Sequence, residues 1–124
     1  MLTQIKPGMV ILPRVGGSHP HVILSEPFGV KKFVLVVNWT TLDEECIDDA
    51  CVLQTGDHAA ISHPSSMAYS RAHLWREHKI LFAVANGSVT ELASVSAPVF
   101  KRMIEGAQQS PELRPEWKAV LPKL

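Results

Sequence analysis

The chain carries no net charge: Lys and Arg number 12, Asp and Glu number 12, and the pI is near 7.0. A protein that grips long nucleic acid by its backbone carries a basic excess, because each phosphate contact needs a cation. Any nucleic-acid site here is therefore small and local, or is completed in the cleft of a dimer. Cysteine is scarce, with only Cys46 and Cys51. Two residues make no disulfide framework, and a zinc knuckle needs a second pair of ligands. They read as free thiols of a reducing compartment. No stretch approaches the roughly 18 uninterrupted apolar residues of a membrane helix. The opening MLTQIKPG lacks the charged region, apolar stretch and small-residue cleavage site of a secretion signal. A cytoplasmic location without membrane contact is the expectation. Neither an internal repeat nor a low-complexity tract is visible.

What remains is ordinary globular material. The 124 residues, 46% apolar and 19% charged, suit a single domain over 1–124 that buries roughly two thirds of its unfolded surface. Short β-branched runs dominate the first two thirds. Met9–Leu12 follows the turn signal Lys6-Pro7-Gly8, and Pro13 ends it or marks a sheet edge. Val22–Leu24 follows Pro20. Phe33–Val37 is the plainest strand, and Cys51–Leu53 precedes the turn pair Gly56-Asp57. Ser66–Tyr69 fits a strand or a helix equally. Ile80–Val84 and Val89–Leu92 flank Asn86-Gly87, a dipeptide suited to a hairpin turn because both residues tolerate positive φ. The pattern then changes. Ser96-Ala97-Pro98 opens a helix over about 97–109, with Val99, Phe100, Met103, Ile104 and Ala107 at helical spacing. A Pro-rich tail, 110–124, follows, in which Trp117, Val120 and Leu121 fit one short turn packed on the body. The expected architecture is mostly β: a small barrel with a C-terminal helix.

Several stretches resemble, in order, the PemK/MazF-like family of bacterial growth-inhibiting toxins. Lys6–Val10 is similar to that family's basic-x-Gly-x-Val opening. Gly16-Gly17-Ser18 with His19–Ser25 resembles its Gly-rich loop and Arg-Pro-x-Val-Val-Val-Ser strand. Val36–Thr41 sits where the family has a strand ending in Pro-x-Thr-Ser. Ser66–Leu74 resembles a later strand with its Arg-Leu close, and Cys51–Tyr69 looks like a divergent branch. The likeness covers about residues 6–109. It implies an SH3-like barrel, a homodimer, and the toxin component of a type II toxin–antitoxin system. The implied activity is sequence-specific cleavage of single-stranded RNA, held off by a cognate antitoxin protein, with no cofactor or metal. The family's catalytic Arg is replaced here by His19. Arg14, five residues upstream, is the nearest arginine, and the partner hydroxyl falls on Thr40 or Thr41. Arg14, His19 and Thr40 are thus the candidate catalytic residues.

The residue types suit that chemistry. Metal-independent RNA cleavage uses the 2′-hydroxyl as nucleophile. It needs a base beside it, an acid at the leaving 5′-oxygen, and donors for the charge on phosphorus. Histidine serves as acid or base near neutral pH, and Arg matches two phosphate oxygens at once. His21, two residues from His19, faces the same way if both lie on one strand. With Thr41, His58, His63 and Ser65 it makes up the candidate RNA-binding set. Plainer roles compete. His19 and His21 suit a solvated strand face, Thr40 and Thr41 suit a turn start, and Asp57 suits a turn with His58 bonded to its loop. Arg71, His73, Arg76 and His78 suit a surface face, and the acidic run Glu44, Glu45, Asp48 and Asp49 a solvated loop. The four histidines 19, 21, 58 and 63 can instead bind a transition metal, although no carboxylate or Cys stands at a known spacing. A non-catalytic barrel that binds a protein partner is the alternative reading. The homodimer also draws on apolar surface, such as Trp39 or Trp75, that a small barrel cannot hide.

Overall fold

The computed structural model describes residues 2–14, 19–42 and 48–124. The Gly16-Gly17-Ser18 loop, Glu44, Glu45 and Cys46 lie outside them. The element on which the others assemble is β3, Phe33–Thr41, in which every residue from Val34 to Trp39 is buried. A strand covered on one face alternates in polarity, whereas one covered on both reads as a continuous apolar run. Val34 and Val36 enter a cluster with Ile5, Met9, Ile11, Ile23 and Ile80. Leu35, Val37 and Trp39 enter a second one with Val10, Val22, Leu53, Met67, Val99, Met103 and Ile104. Ile80 belongs to helix α1, Glu77–Ala85, and the last three residues to α2, Ala97–Gln109. Each sheet face is therefore covered by its own helix.

Nine residues of strand extend roughly 30 Å, enough for two partners along one edge. β6, His73–Arg76, pairs with Phe33–Val36, and β5, Ser65–Met67, pairs with Trp39–Thr41. A 3₁₀ turn at Tyr69–Arg71 separates the two short strands, so Ser66–Tyr69 is first strand and then helix. On the opposite edge follow β2 (His21–Ile23), β1 (Val10–Pro13) and β7 (Val89–Leu92). β4, Val52–Leu53, flanks β5. All pairings are antiparallel.

The result is an α+β fold, an open seven-stranded antiparallel sheet with three helices. Closure into a barrel is not observed, since among the described residues nothing pairs β4 with β7. The apolar face that a closing strand would cover carries α2 and the C-terminal segment instead. That segment contributes Leu113, Leu121, Trp117 and Val120, with α3 at Pro115–Lys118. The short turn expected there is thus present, and α2 spans the residues that its periodicity indicated. Among the described residues, no helix is long and apolar enough to cross a membrane.

The Asn86-Gly87 hairpin is the clearest departure from expectation. Ile80–Val84 lies inside α1, and Asn86-Gly87 ends that helix. Asn86 N–H donates to the Phe82 carbonyl and Gly87 N–H to that of Val84, at 3.0 and 3.2 Å. A type I′ turn needs positive φ at both residues; Asn86 has −91° and only Gly87, at +82°, is left-handed. Glycine in that conformation suits a helix C-terminus as well as a hairpin. In α1, Ile80, Leu81 and Val84 share one face, and all three pack into the first cluster.

α2 packs tightly against the 3₁₀ turn and the segment before β4 at Gly106. A Cβ there would lie 2.7 Å from the Tyr69 hydroxyl and 2.8 Å from both the Ala50 carbonyl and Cys51 Cβ. Tyr69, buried in the 3₁₀ turn, donates its hydroxyl to the Met103 carbonyl at 2.7 Å. Gly106→Ala therefore lowers stability by about 1–3 kcal/mol through overpacking, although alanine is the better helix former by about 1 kcal/mol. Tyr69→Phe costs about 1 kcal/mol. Urea unfolding of both variants measures these changes, and a stabilised Gly106→Ala would contradict the packing.

Candidate functional site

The far end of β3 gathers hydroxyls. Thr40 and Thr41 stand opposite Ser66 and Ser65 in the β3–β5 register. The loop before β5 is drawn onto this end, because Leu42 N–H donates to the Pro64 carbonyl at 3.0 Å. Ser62 and His63 thereby reach the strand. A depression of about 140 Å³ results, lined by His19, Trp39, Thr40, Thr41, Ser62, His63 and Ser65 among others.

His63 is held between two hydroxyls. Its Nε2 lies 2.7 Å from Thr41 Oγ1 and its Nδ1 3.0 Å from Ser62 Oγ. A neutral imidazole has one donor and one acceptor nitrogen, so one hydroxyl receives a hydrogen bond and the other gives one. The ring is thus oriented as a base toward an oxygen, and Ser65 Oγ fixes the backbone by donating to the His63 carbonyl at 3.0 Å. Both Thr41 and His63 are exposed, so a substrate hydroxyl can replace that of Thr41.

Five of the residues chosen from sequence, His19, Thr40, Thr41, His63 and Ser65, line this one depression. Three do not. His58 is 8% exposed, and both of its ring nitrogens are committed. Its Nε2–H donates to the Ala93 carbonyl at 2.6 Å, and its Nδ1 accepts the Ala60 N–H at 3.0 Å, with the ring against Trp39. It braces the loop and has no free nitrogen for RNA. Arg14 follows β1, and its Nη1 donates to the Gly87 carbonyl at 3.3 Å. His21 does not share His19's position, because β2 begins at His21 and His19-Pro20 precedes it. Its ring stacks on Trp75, 5.2 Å between centroids, with His73 5.7 Å away. Burial lowers the proton affinity of His21, and the neighbouring imidazoles of His73 and His19 lower it further, against the opposing pull of the His19 backbone.

Sequence reasoning missed Ser62 and the role of Trp39, which is 4% exposed and offers no surface to a second copy. It also read His73 as surface, where alternation of His73 and Trp75 along a strand would have placed both on one side. A larger groove, about 480 Å³, lies elsewhere, with Pro13, Phe33, Trp75, Ile80, Ala83 and Val89 among its lining and Arg14, Arg76 and Lys79 as its cations. Size alone would favour it as a ligand site. The paired imidazole and hydroxyl groups belong to the smaller depression, and chemistry is the better guide. Among the described residues no group of three or more His, Cys, Asp or Glu is placed to hold a metal. No protein-family model matches the chain, and neither a curated protein nor a solved structure gives a match.

The loop that leads to the depression is clamped to α2. Arg102 donates to both Asp57 oxygens, at 3.0 and 3.2 Å, and to the Val52 carbonyl at 2.7 Å. The guanidinium holds the Asp57 carboxyl below its ordinary pKa, with the Gln54 N–H assisting. A carboxylate depressed in the folded state binds its proton more readily when unfolded. Its contribution is therefore complete above the unfolded pKa and lost as pH falls through the folded one. Stability should decline as pH falls from about 5, just above the ordinary Asp pKa of about 3.9, to about 2. Asp57→Asn should flatten part of that decline, as read by urea midpoints across the range. An unchanged slope would mean that the clamp carries no linkage.

Proposed function

We propose that this chain is a PemK/MazF-like toxin that cleaves single-stranded RNA without a metal, in the cytoplasm, under the control of an antitoxin protein. The observation that carries the reading is the depression in which His19 and His63 meet Thr40, Thr41, Ser62 and Ser65. The ordered likeness over residues 6–109 supports it. On this reading the sheet is an SH3-like barrel left open on one side, and a homodimer widens the RNA path that a neutral monomer lacks.

His63 replaces Arg14 as the central group. Its ring accepts the 2′-hydroxyl proton in the place that Thr41 Oγ1 occupies. The 2′-oxygen bonds to phosphorus, the P–O5′ bond breaks, and the 5′-oxygen takes a proton from the His19 imidazolium, which is left neutral. The products are a 2′,3′-cyclic phosphate and a 5′-hydroxyl. Thr40 and Ser65 stand as hydroxyl donors to the non-bridging oxygens, in the role the family gives to arginine.

The test is incubation of the purified protein with mixed single-stranded RNA oligonucleotides. Cleavage with cyclic-phosphate ends is expected, reduced about 10²–10⁴-fold by His63→Ala, as for loss of a general base. His19→Ala should also impair it, whereas Arg14→Ala should change the rate only a few-fold. Absence of cleavage, or cleavage indifferent to His63→Ala, would refute the assignment. One observation favours a second reading, a module that binds a protein partner: the apolar groove with Arg14, Arg76 and Lys79 and, among the described residues, no acidic side chain in its lining. Recovery of one stable partner, lost on Arg76→Glu, by a protein inert toward RNA would select it.

A further inference from the structure

Among the described residues, two side-chain polar atoms are buried without any hydrogen-bond partner: His21 Nδ1 and His73 Nε2. They are not scattered. The two rings lie 5.7 Å apart between centroids in an edge-on arrangement, and Trp75 packs on both, 5.2 Å from His21 and 4.5 Å from His73. A buried unpaired nitrogen costs roughly 1–3 kcal/mol, so native proteins seldom leave one and rarely leave two side by side. Something that accepts lone pairs from both would remove the cost.

His73 is prepared for that role. Its Nδ1–H donates to the Arg71 carbonyl at 2.9 Å. That bond fixes the tautomer, so Nε2 presents a lone pair and no hydrogen. A backbone carbonyl on the far nitrogen is the arrangement that orients metal-ligating histidines and raises their basicity. The Arg71 carbonyl is available because the 3₁₀ turn at Tyr69–Arg71 ends just before β6. His21 comes from β2 on the opposite edge of β3, so the pair is assembled across three strands of a rigid sheet and is not a feature of one loop.

We propose that His21 and His73 form a two-imidazole site for a single transition-metal ion, suited to copper(I). Imidazole nitrogens bind late first-row metals, copper among them. Two neutral ligands bring no negative charge, among the described residues no carboxylate or thiolate joins them, and a half-buried apolar setting penalises a divalent ion more than a monovalent one. Copper(I) also accepts two nitrogen ligands alone, whereas zinc prefers four. The faces of Trp75 favour a cation beside them.

The test is anaerobic titration of the whole chain with copper(I) against a competing chromophoric chelator. One equivalent should bind, with partial quenching of tryptophan emission, and His21→Gln and His73→Gln should each weaken it at least about 100-fold, the upper range for loss of a ligand or its support. The wild-type imidazole ¹⁵N resonances give a second readout that needs no substitution. Copper(I) is diamagnetic, and its addition should shift His21 Nδ1 and His73 Nε2 while sparing both nitrogens of His58. Binding that survives both substitutions belongs to the thiols and overturns the proposal, as does metal addition that leaves those two resonances unmoved. Zinc(II) held as tightly as copper(I), and lost in the same variants, would overturn the choice of a monovalent ion.

Discussion

The structure depends on one strand being buried on both faces while sharing one edge between two partners. β3 can do this because its residues from Val34 to Trp39 are buried without a break, Asn38 the one polar member, and because it is long enough for β5 and β6 to dock end to end. Burial on both faces demands two covering layers, and α1 and α2 supply them. The shared edge demands a break between the short strands, and the Tyr69–Arg71 turn supplies it. That break also places Tyr69 beneath α2, where its buried phenol, with a pKa pushed upward by burial, bonds the Met103 carbonyl. The Gly106 contact follows from the same approach. The core, the helix positions and the two histidine groups are therefore not independent features.

Much of this was legible. Period-3.6 spacing with Pro98 in the first turn located α2, and β-branched density located β1, β2 and β3. The failure at Ile80–Val84 has a physical origin. Asn-Gly ends a helix as readily as it turns a hairpin, since both geometries use a left-handed glycine, and a five-residue apolar window cannot separate the periods. Closure of the sheet was not legible at all, because it depends on which element covers the Leu35–Trp39 face, and no local pattern reports that.

The candidate site was legible by residue type and less so by grouping. Thr40, Thr41, His63 and Ser65 come together because register is set by long-range pairing, and the sequence indicated the chemistry without the register. His19 and His21 separate because Pro20 precedes the strand and only His21 joins it. His58, placed in the RNA-binding set, has instead the plainer role that competed with it, a loop brace beside Asp57. Arg14 was chosen as the nearest arginine to a missing one, and nearness along the chain did not decide which cavity its guanidinium serves.

An open sheet has two ends, and each is a template on which another chain can add by hydrogen bonding. Here the two ends are unequal. β4 offers two residues, too few to register an incoming segment. β7 offers four, and its Thr90 and Glu91 are exposed. A glutamate on a terminal strand resists stacking of identical copies, because like charges would meet at each step. One short terminus and one charged one thus limit the edge pairing that closure prevents elsewhere.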